Sequence, residues 1–364
     1  MAQNNEKAMK AGGRVLSGMR PTGKLHLGHY VGALQNWVRL QESYECFFFV
    51  ADWHALTTDY ADTSRVKQST VEIAIDWLAA GLDPAKCTMF IQSHVPQHAE
   101  LHLLFSMVTP LGWLERVPTY KEQRENLKEK DLSTYGFLGY PLLQSADILI
   151  YRADYVPVGE DQVPHVELTR EVARRFNQFY PPQQHIPEKQ RTYVFPEPQP
   201  LLTPAEKLPG TDGRKMSKSY GNFISLSDPE PVVRQKLKTM VTDPARVRRT
   251  DPGNPDVCPV GDLHKIFSDA ATMDWVNAGC RSAGIGCIEC KSRAADHLLT
   301  VLQPLQERRR PYEQNPKLAW DVLEEGSKKA RSIAEQTMEK ARAAMNLSHE
   351  FEAFDAATSA EGVK

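Results

Sequence analysis

The chain of 364 residues contains no window approaching the ~18 unbroken apolar residues of a membrane span. Its start, "MAQNNEKAMKAGGR", is polar and lacks a secretory apolar core, which predicts a cytoplasmic protein with a mobile tail over residues 1–13 and no membrane partner. A net charge of −2 gives no general attraction for nucleic acid. Such a partner would have to meet local basic stretches, "RVRR" (246–249) and "RRR" (308–310), which taken alone read as solvated helix faces. Six cysteines in a chain this long do not make a disulfide framework. Internal repeats and low-complexity tracts are absent.

What is present is alternation. "RVLSG" (14–18), "CFFFVAD" (46–52), "CTMFIQ" (87–92) and "YVPVG" (155–159) read as buried parallel strands. Helical patterns lie between them, clearest over 63–82, where Thr63 or Ser64 predicts the cap, Gly81 the stop and Pro84 the break. The fold class is therefore α/β, a doubly wound parallel sheet whose ligands gather at the carboxyl ends of the strands. Residues 192–221 are rich in Pro and Gly and predict a long surface loop. The remainder, after about Leu226, reads as almost wholly helical. This division predicts a catalytic domain over 14–225, an all-helical domain over 226–347 and a tail over 348–364.

Within "GMRPTGKLHLGHYVGAL" (18–34), His26 and His29 could hold a metal or face phosphate. A metal needs further ligands, and "HLGH" offers none nearby. Phosphate needs only Gly23 and Gly28 for close backbone approach and a helix start near His26. "KMSKS" (Lys215, Met216, Ser217, Lys218, Ser219) supplies two lysines and two hydroxyls able to close over a triphosphate, with Gly210, Gly213 and Gly221 permitting the motion. In "YPLLQSADILIY", Tyr140, Gln144 and Asp147 recur at i, i+4 and i+7, three polar groups on one face of an apolar helix. A buried Asp147 needs a partner: a backbone N–H, Arg152, or a substrate N–H. An indole N–H would then separate tryptophan from phenylalanine. "VPVGEDQVPHVELTRE" (156–171) leaves a strand and opens a helix, suited to ribose and an amino group.

Four cysteines, Cys258, Cys280, Cys287 and Cys290, stand with 21, 6 and 2 residues between them. Ending in C-x-x-C, they predict a closed metal site, with zinc and [4Fe-4S] both compatible, over scattered buried thiols.

The two motifs, about 190 residues apart in an α/β setting, resemble the HIGH and KMSKS signatures of class I aminoacyl-tRNA synthetases. With "ADWHALT", "YPLLQSADILIY", "VPVGEDQ", "HVELTRE" and "MVTDP" in order over about residues 13–345, the chain resembles the bacterial-type tryptophanyl-tRNA synthetases, with the tyrosyl enzymes as the nearest alternative. The resemblance implies ATP and Mg²⁺, L-tryptophan and tRNA(Trp) as partners, and a homodimer. Through it, Arg20, Pro21, Thr22, Gly28 and His29 line ATP, Gly159, Glu160 and Asp161 meet the nucleoside, and Lys215, Ser217, Lys218 and Ser219 hold phosphates, with Met216 between them. Catalysis falls to His26, His29, Lys215 and Lys218. Asp147 would take the indole N–H, Tyr140 and Gln162 the amino group, with Gln144 beside them and His54 either approaching tryptophan or structural. Some members carry a [4Fe-4S] cluster near the anticodon-binding surface, which favours that cluster here over zinc, although their first cysteine interval is one residue longer. Arg20 stands where many members have Gln, and "HLGH" where many end in Asn. A tRNA-free adenylate-forming paralogue or an iron-sulfur redox sensor would be expected to lose the second domain or break "KMSKS".

Overall fold

The structure, a computed structural model, describes residues 12–126, 131–182, 192–202, 208–218 and 220–347. Both expected tails, apart from residues 12 and 13, lie outside them, as does Ser219. The four apolar runs form β1 (Arg14–Met19), β2 (Glu45–Val50), β3 (Cys87–Ile91) and β4 (Tyr155–Val158). β5 (Gln199–Leu202) joins them within the stretch read as loop. Pro200 hid it, yet a strand at the sheet edge tolerates a missing N–H. All strands are parallel, in the order β3-β2-β1-β4-β5. The order reverses at β1, so the crevice between β1 and β4 is the place for a ligand.

The helix predicted over 63–82 runs Val66–Ala80 and stops at Gly81, whose φ of 111° suits glycine. Its start is Arg65 rather than Thr63 or Ser64, because Asp62 takes the Ser64 N–H in a local turn. The polar stripe lies on helix Tyr135–Ile150, capped by Thr134, whose hydroxyl accepts the Phe137 N–H.

Beyond residue 226, every regular element among the described residues is helical: Glu230–Thr239, Pro259–Phe267, Ala270–Arg281, Cys287–Gln314 and Lys317–Ala344. This region shares its core with the sheet. Leu298, Leu302 and Leu305 pack with Phe48 and Trp77. Helix Lys317–Ala344 covers the open edge of β3, with Ser327 Oγ accepting the Ile91 N–H at 3.2 Å. Its approach needs Gly326, where a Cβ would sit 1.8 Å from the Met89 carbonyl oxygen. Nor are both basic stretches wholly solvated. Arg309 and Arg246 are buried, since each finds acceptors inside: carboxylates for Arg309, and backbone carbonyls with a sulfur for Arg246. Among the described residues, no helix is long and apolar enough to cross a membrane.

Candidate active site

A cleft of about 490 Å³ opens at the carboxyl ends of β1 and β4. Its size suits a small substrate and a nucleotide. Tyr140, Gln144 and Asp147 all reach it from helix Tyr135–Ile150, and His29, His54 and Gln162 reach it from other walls.

At one end lies the "HLGH" turn. His26 caps the helical turn Leu27–His29 and the rings close a reciprocal box: His26 Nδ1 accepts the Gly28 N–H at 3.1 Å, and His29 Nδ1 accepts the His26 N–H at 3.3 Å. The helix start is thus not a set of free N–H groups: the imidazoles take those of His26 and Gly28, and backbone carbonyls those of Leu27 and His29. With both Nδ1 atoms accepting, each neutral ring carries its proton on Nε2 and is a donor there. Burial, and then the Lys218 charge, pushes His26 down to about 4; burial, His26 and Lys218 push His29 down to about 3. Both rings stay neutral near pH 7. A π turn, Tyr30–Leu34, follows directly and then helix Gln35–Leu40.

The "KMSKS" segment rests on that turn. The chain just after it pairs with Leu25 and with the start of "HLGH": Leu27 N donates to Ile224 O and Leu226 N to Leu25 O, each at 3.0 Å. Lys218 Nζ donates to the carbonyls of Thr22 at 3.0 Å and Gly23 at 2.9 Å. Its burial lowers its pKa to about 8. Lys215 is exposed. Ser217 N donates to Asn222 Oδ1 at 2.8 Å. The Met216 side chain is buried in the core, which leaves its backbone as the part that can face a nucleotide. An apolar side chain between two lysines is drawn inward and anchors the loop.

The opposite end is a closed polar network. Asp147, 1% exposed, accepts from His54 Nε2 at 2.7 Å, Gln92 Nε2 at 2.8 Å and His98 Nδ1 at 2.6 Å. Tyr151 OH lies 2.8 Å from His98 Nε2 and extends the network. Burial alone would push the Asp147 carboxyl up; the His54 and His98 rings beside it hold it well below the usual carboxylate range. Arg152, considered as its partner, instead donates to the Val194 carbonyl at 2.6 Å. Gln92 and His98 are site residues that sequence reasoning missed. The polar Gln92 closing the apolar run of β3 was the one available signal.

Other expected contacts are distributed unevenly. Gly159 lines the cleft, while Glu160 and Asp161 are exposed beyond it on a 3-10 turn. Tyr140 is fixed by Thr119, its hydroxyl 2.9 Å from Thr119 Oγ1. Gln162 Nε2 donates to Asp161 Oδ2 at 3.0 Å. Arg20 faces the cleft but is held by Asp59 at 3.1 Å and by Thr58. Pro21 is buried and Thr22 exposed, with Gly28 against the His26 ring.

Far from the cleft in sequence, Cys258, Cys280, Cys287 and Cys290 line one small cavity together with Arg246. Arg246 Nη1 stands 3.8 Å from Cys280 Sγ, and its buried Nε has no partner among the described residues. A Cβ at Gly253 would lie 2.7 Å from that same sulfur. Burial, then the neighbouring thiols, pushes Cys290 up to about 12. Among the described residues, no three His, Cys, Asp or Glu side chains stand close enough to hold a single ion.

Residues 9–303 match the family described as tRNA synthetases class I (W and Y). The chain belongs to that family, as the parallel sheet with its two signatures in contact already indicated. Within the family it is 53% identical to the tryptophan–tRNA ligase of Ralstonia nicotianae, over 92% of this chain and 99% of that one. It is 56% identical to the tryptophan–tRNA ligase of Thermotoga maritima at the same coverage. Among solved structures, the tryptophanyl-tRNA synthetase of Campylobacter jejuni complexed with ADP and tryptophan superposes with a TM-score of 0.80 at 31% identity, covering 92% of this chain and 100% of that one.

Proposed function

We infer that this chain activates L-tryptophan with ATP, forming tryptophanyl-adenylate and pyrophosphate, and transfers tryptophan to tRNA(Trp). The observation that carries this reading is one cleft with His29 of "HLGH" in its wall and a fixed buried carboxylate beside it, the "KMSKS" segment being packed against the "HLGH" turn. A carboxylate has about four acceptor positions. Three on Asp147 are taken, so one lone pair remains for an indole N–H, and its Oδ2 oxygen has only His54 as partner. Phenylalanine would leave that position unsatisfied. Tyr140 and Gln162 then hold the amino group, with Gln144 beside them.

At the other end, Arg20, Pro21, Thr22 and Gly28 flank ATP and Gly159, Glu160 and Asp161 face its nucleoside. The Nε2–H donors of His26 and His29 meet charge building on the α-phosphoryl group as the tryptophan carboxylate attacks. Lys215, Ser217, Lys218 and Ser219 neutralise the departing pyrophosphate. Mg²⁺ enters on the phosphates of ATP and shields their charge. Tryptophan-dependent exchange of pyrophosphate into ATP, and tRNA charging with each of the twenty amino acids, test the reading. Charging by tyrosine in place of tryptophan would overturn it.

We also propose that the four cysteines hold a [4Fe-4S] cluster. The donor set fits, because four thiols lining one cavity suit a cationic centre, and Arg246, which lines the same cavity, has an N–H without a partner among the described residues. A lone zinc, with Zn–S near ~2.3 Å, is disfavoured because no three such side chains among the described residues stand close enough to share one ion. When bound, the cluster supplies a structural tie between the loop at Cys258 and two helices. Iron rather than zinc in anaerobically purified protein is the expected result. Residues 14–225 then act as the catalytic domain and 226–347 carry the tRNA-reading surface. The exposed Leu103, Met107 and Leu111 support a homodimer, whose mass in solution Met107→Glu should halve.

A further inference from the structure

The residue preceding "HLGH" is gripped on both sides by one distant helix. Leu25, 1% exposed, donates its N–H to Asp76 Oδ2 at 2.8 Å. Asp76 is fully buried and pairs through its other oxygen with Arg309, itself 1% exposed and also held by Glu72 at 2.8 Å and Glu313 at 2.9 Å. On the other side, the Leu25 carbonyl accepts from Leu226 N at 3.0 Å and Ser225 Oγ at 3.2 Å. Gln306 Nε2 in turn donates to the carbonyls of Leu226 at 3.1 Å and Asp228 at 2.9 Å. Gln306 and Arg309 are three residues apart, so one face of helix Cys287–Gln314 reaches both.

We propose that Gln306 and Arg309 are positioning residues for adenylate formation: they fix Leu25 from both sides and thereby set where His26 and His29 point. Neither touches the cleft. Small displacements of catalytic donors are costly in rate, up to about a hundredfold for 1 Å. Two routes to one residue imply that loosening either one moves the imidazoles while the indole end, built on other elements, stays in place.

The inference rests on the synthetase reading, and its test separates the two. Wild type, Gln306→Met and Gln306→Lys are compared in tryptophan-dependent pyrophosphate exchange. Met keeps the length and loses the donor, whereas Lys keeps a donor for the two carbonyls. Gln306→Met is expected to lower kcat about tenfold with the KM for tryptophan and the melting temperature unchanged, and Gln306→Lys to recover most of the loss. Arg309→Lys, which retains the charge beside Asp76, should show the same kcat-selective loss. Full kcat in folded Gln306→Met overturns the proposal. An equal rise in KM, or a loss that follows melting temperature and is not rescued by Lys, reduces Gln306 to a stability role and also overturns it. A wild type without tryptophan-dependent exchange defeats the synthetase reading instead.

Discussion

The two ends of the cleft are built differently. At the indole end Asp147 is buried and already bonded to His54, Gln92 and His98, so it is locked before a substrate arrives. At the phosphate end Lys215 is exposed, and Lys218 rests on the backbone carbonyls of Thr22 and Gly23, bonds that a phosphate oxygen can replace. Under the proposed function, discrimination is preorganised, whereas charge stabilisation is completed on binding. A fixed carboxylate rejects a ligand without an N–H because nothing can relax around it. A mobile cation can follow pyrophosphate as it leaves, which a locked one could not.

If that contrast holds, the largest effect belongs to the open end. Lys215→Ala removes a charge that matters only once pyrophosphate departs, and activation should slow by ~10² to 10³. Because Lys215 is exposed and loses no side-chain partner among the described residues, the melting temperature should stay within ~1 °C of wild type. Presteady-state adenylate formation measures the first and thermal denaturation the second. Unchanged activation would remove Lys215 from the chemistry.

At the locked end the expected loss is smaller and falls on selectivity. In Asp147→Asn the remaining oxygen best stays with Gln92 and His98, which turns the amide NH₂ toward His54 and the indole N–H. Two donors then face each other, and preference for tryptophan over phenylalanine should fall by about 10- to 150-fold, from ~1.5 to 3 kcal/mol. The ratio of kcat/KM values for the two amino acids reads this directly. An unaltered ratio would make the network purely structural.

A third substitution tests whether the helical region acts on either end. Cys287→Ser removes one of the thiols lining the cysteine cavity. On the proposed reading, in which the site lies away from the cleft and positions tRNA, it should lower tRNA charging about tenfold and exchange by less than about twofold. Equal losses in both assays would place the cysteine site in the activation step.

Much of this arrangement was legible in residue order. The strands read as apolar runs, and Tyr140, Gln144 and Asp147 read as one polar face of an apolar helix, because both are periodic signals within one element. What could not be read was pairing between elements. Burial demanded a partner for Asp147, but Gln92 and His98 lie 55 and 49 residues away on other elements, and spacing carries no information on that. Arg309 failed similarly: it stands in a run of three arginines that looks solvated, and only the packed helices show Asp76 beneath it. The His26–His29 box was hidden because it replaces the free N–H groups that a helix start normally offers. β5 was masked by its proline.

The mildest test is titration of the phosphate end. Lys218 has a pKa lowered to about 8, chiefly by burial, so in the free enzyme it is protonated below that pH and loses its charge above it. ATP brings negative charge beside it and raises the pKa again. The parameter kcat/KM for ATP reports the free enzyme and kcat the bound complex. The first should therefore decline a few-fold between pH 7.5 and 9 (about one unit around that pKa), while kcat declines only at higher pH. Lys218→Arg, charged throughout, should abolish the early decline even if its rate is lower. On the acid side His26 and His29 should contribute no step near pH 6.5, the usual histidine range, because they remain neutral down to about 4 and 3. A decline in kcat/KM that persists in Lys218→Arg would assign it to another group and remove the distinction between a locked and a responsive end.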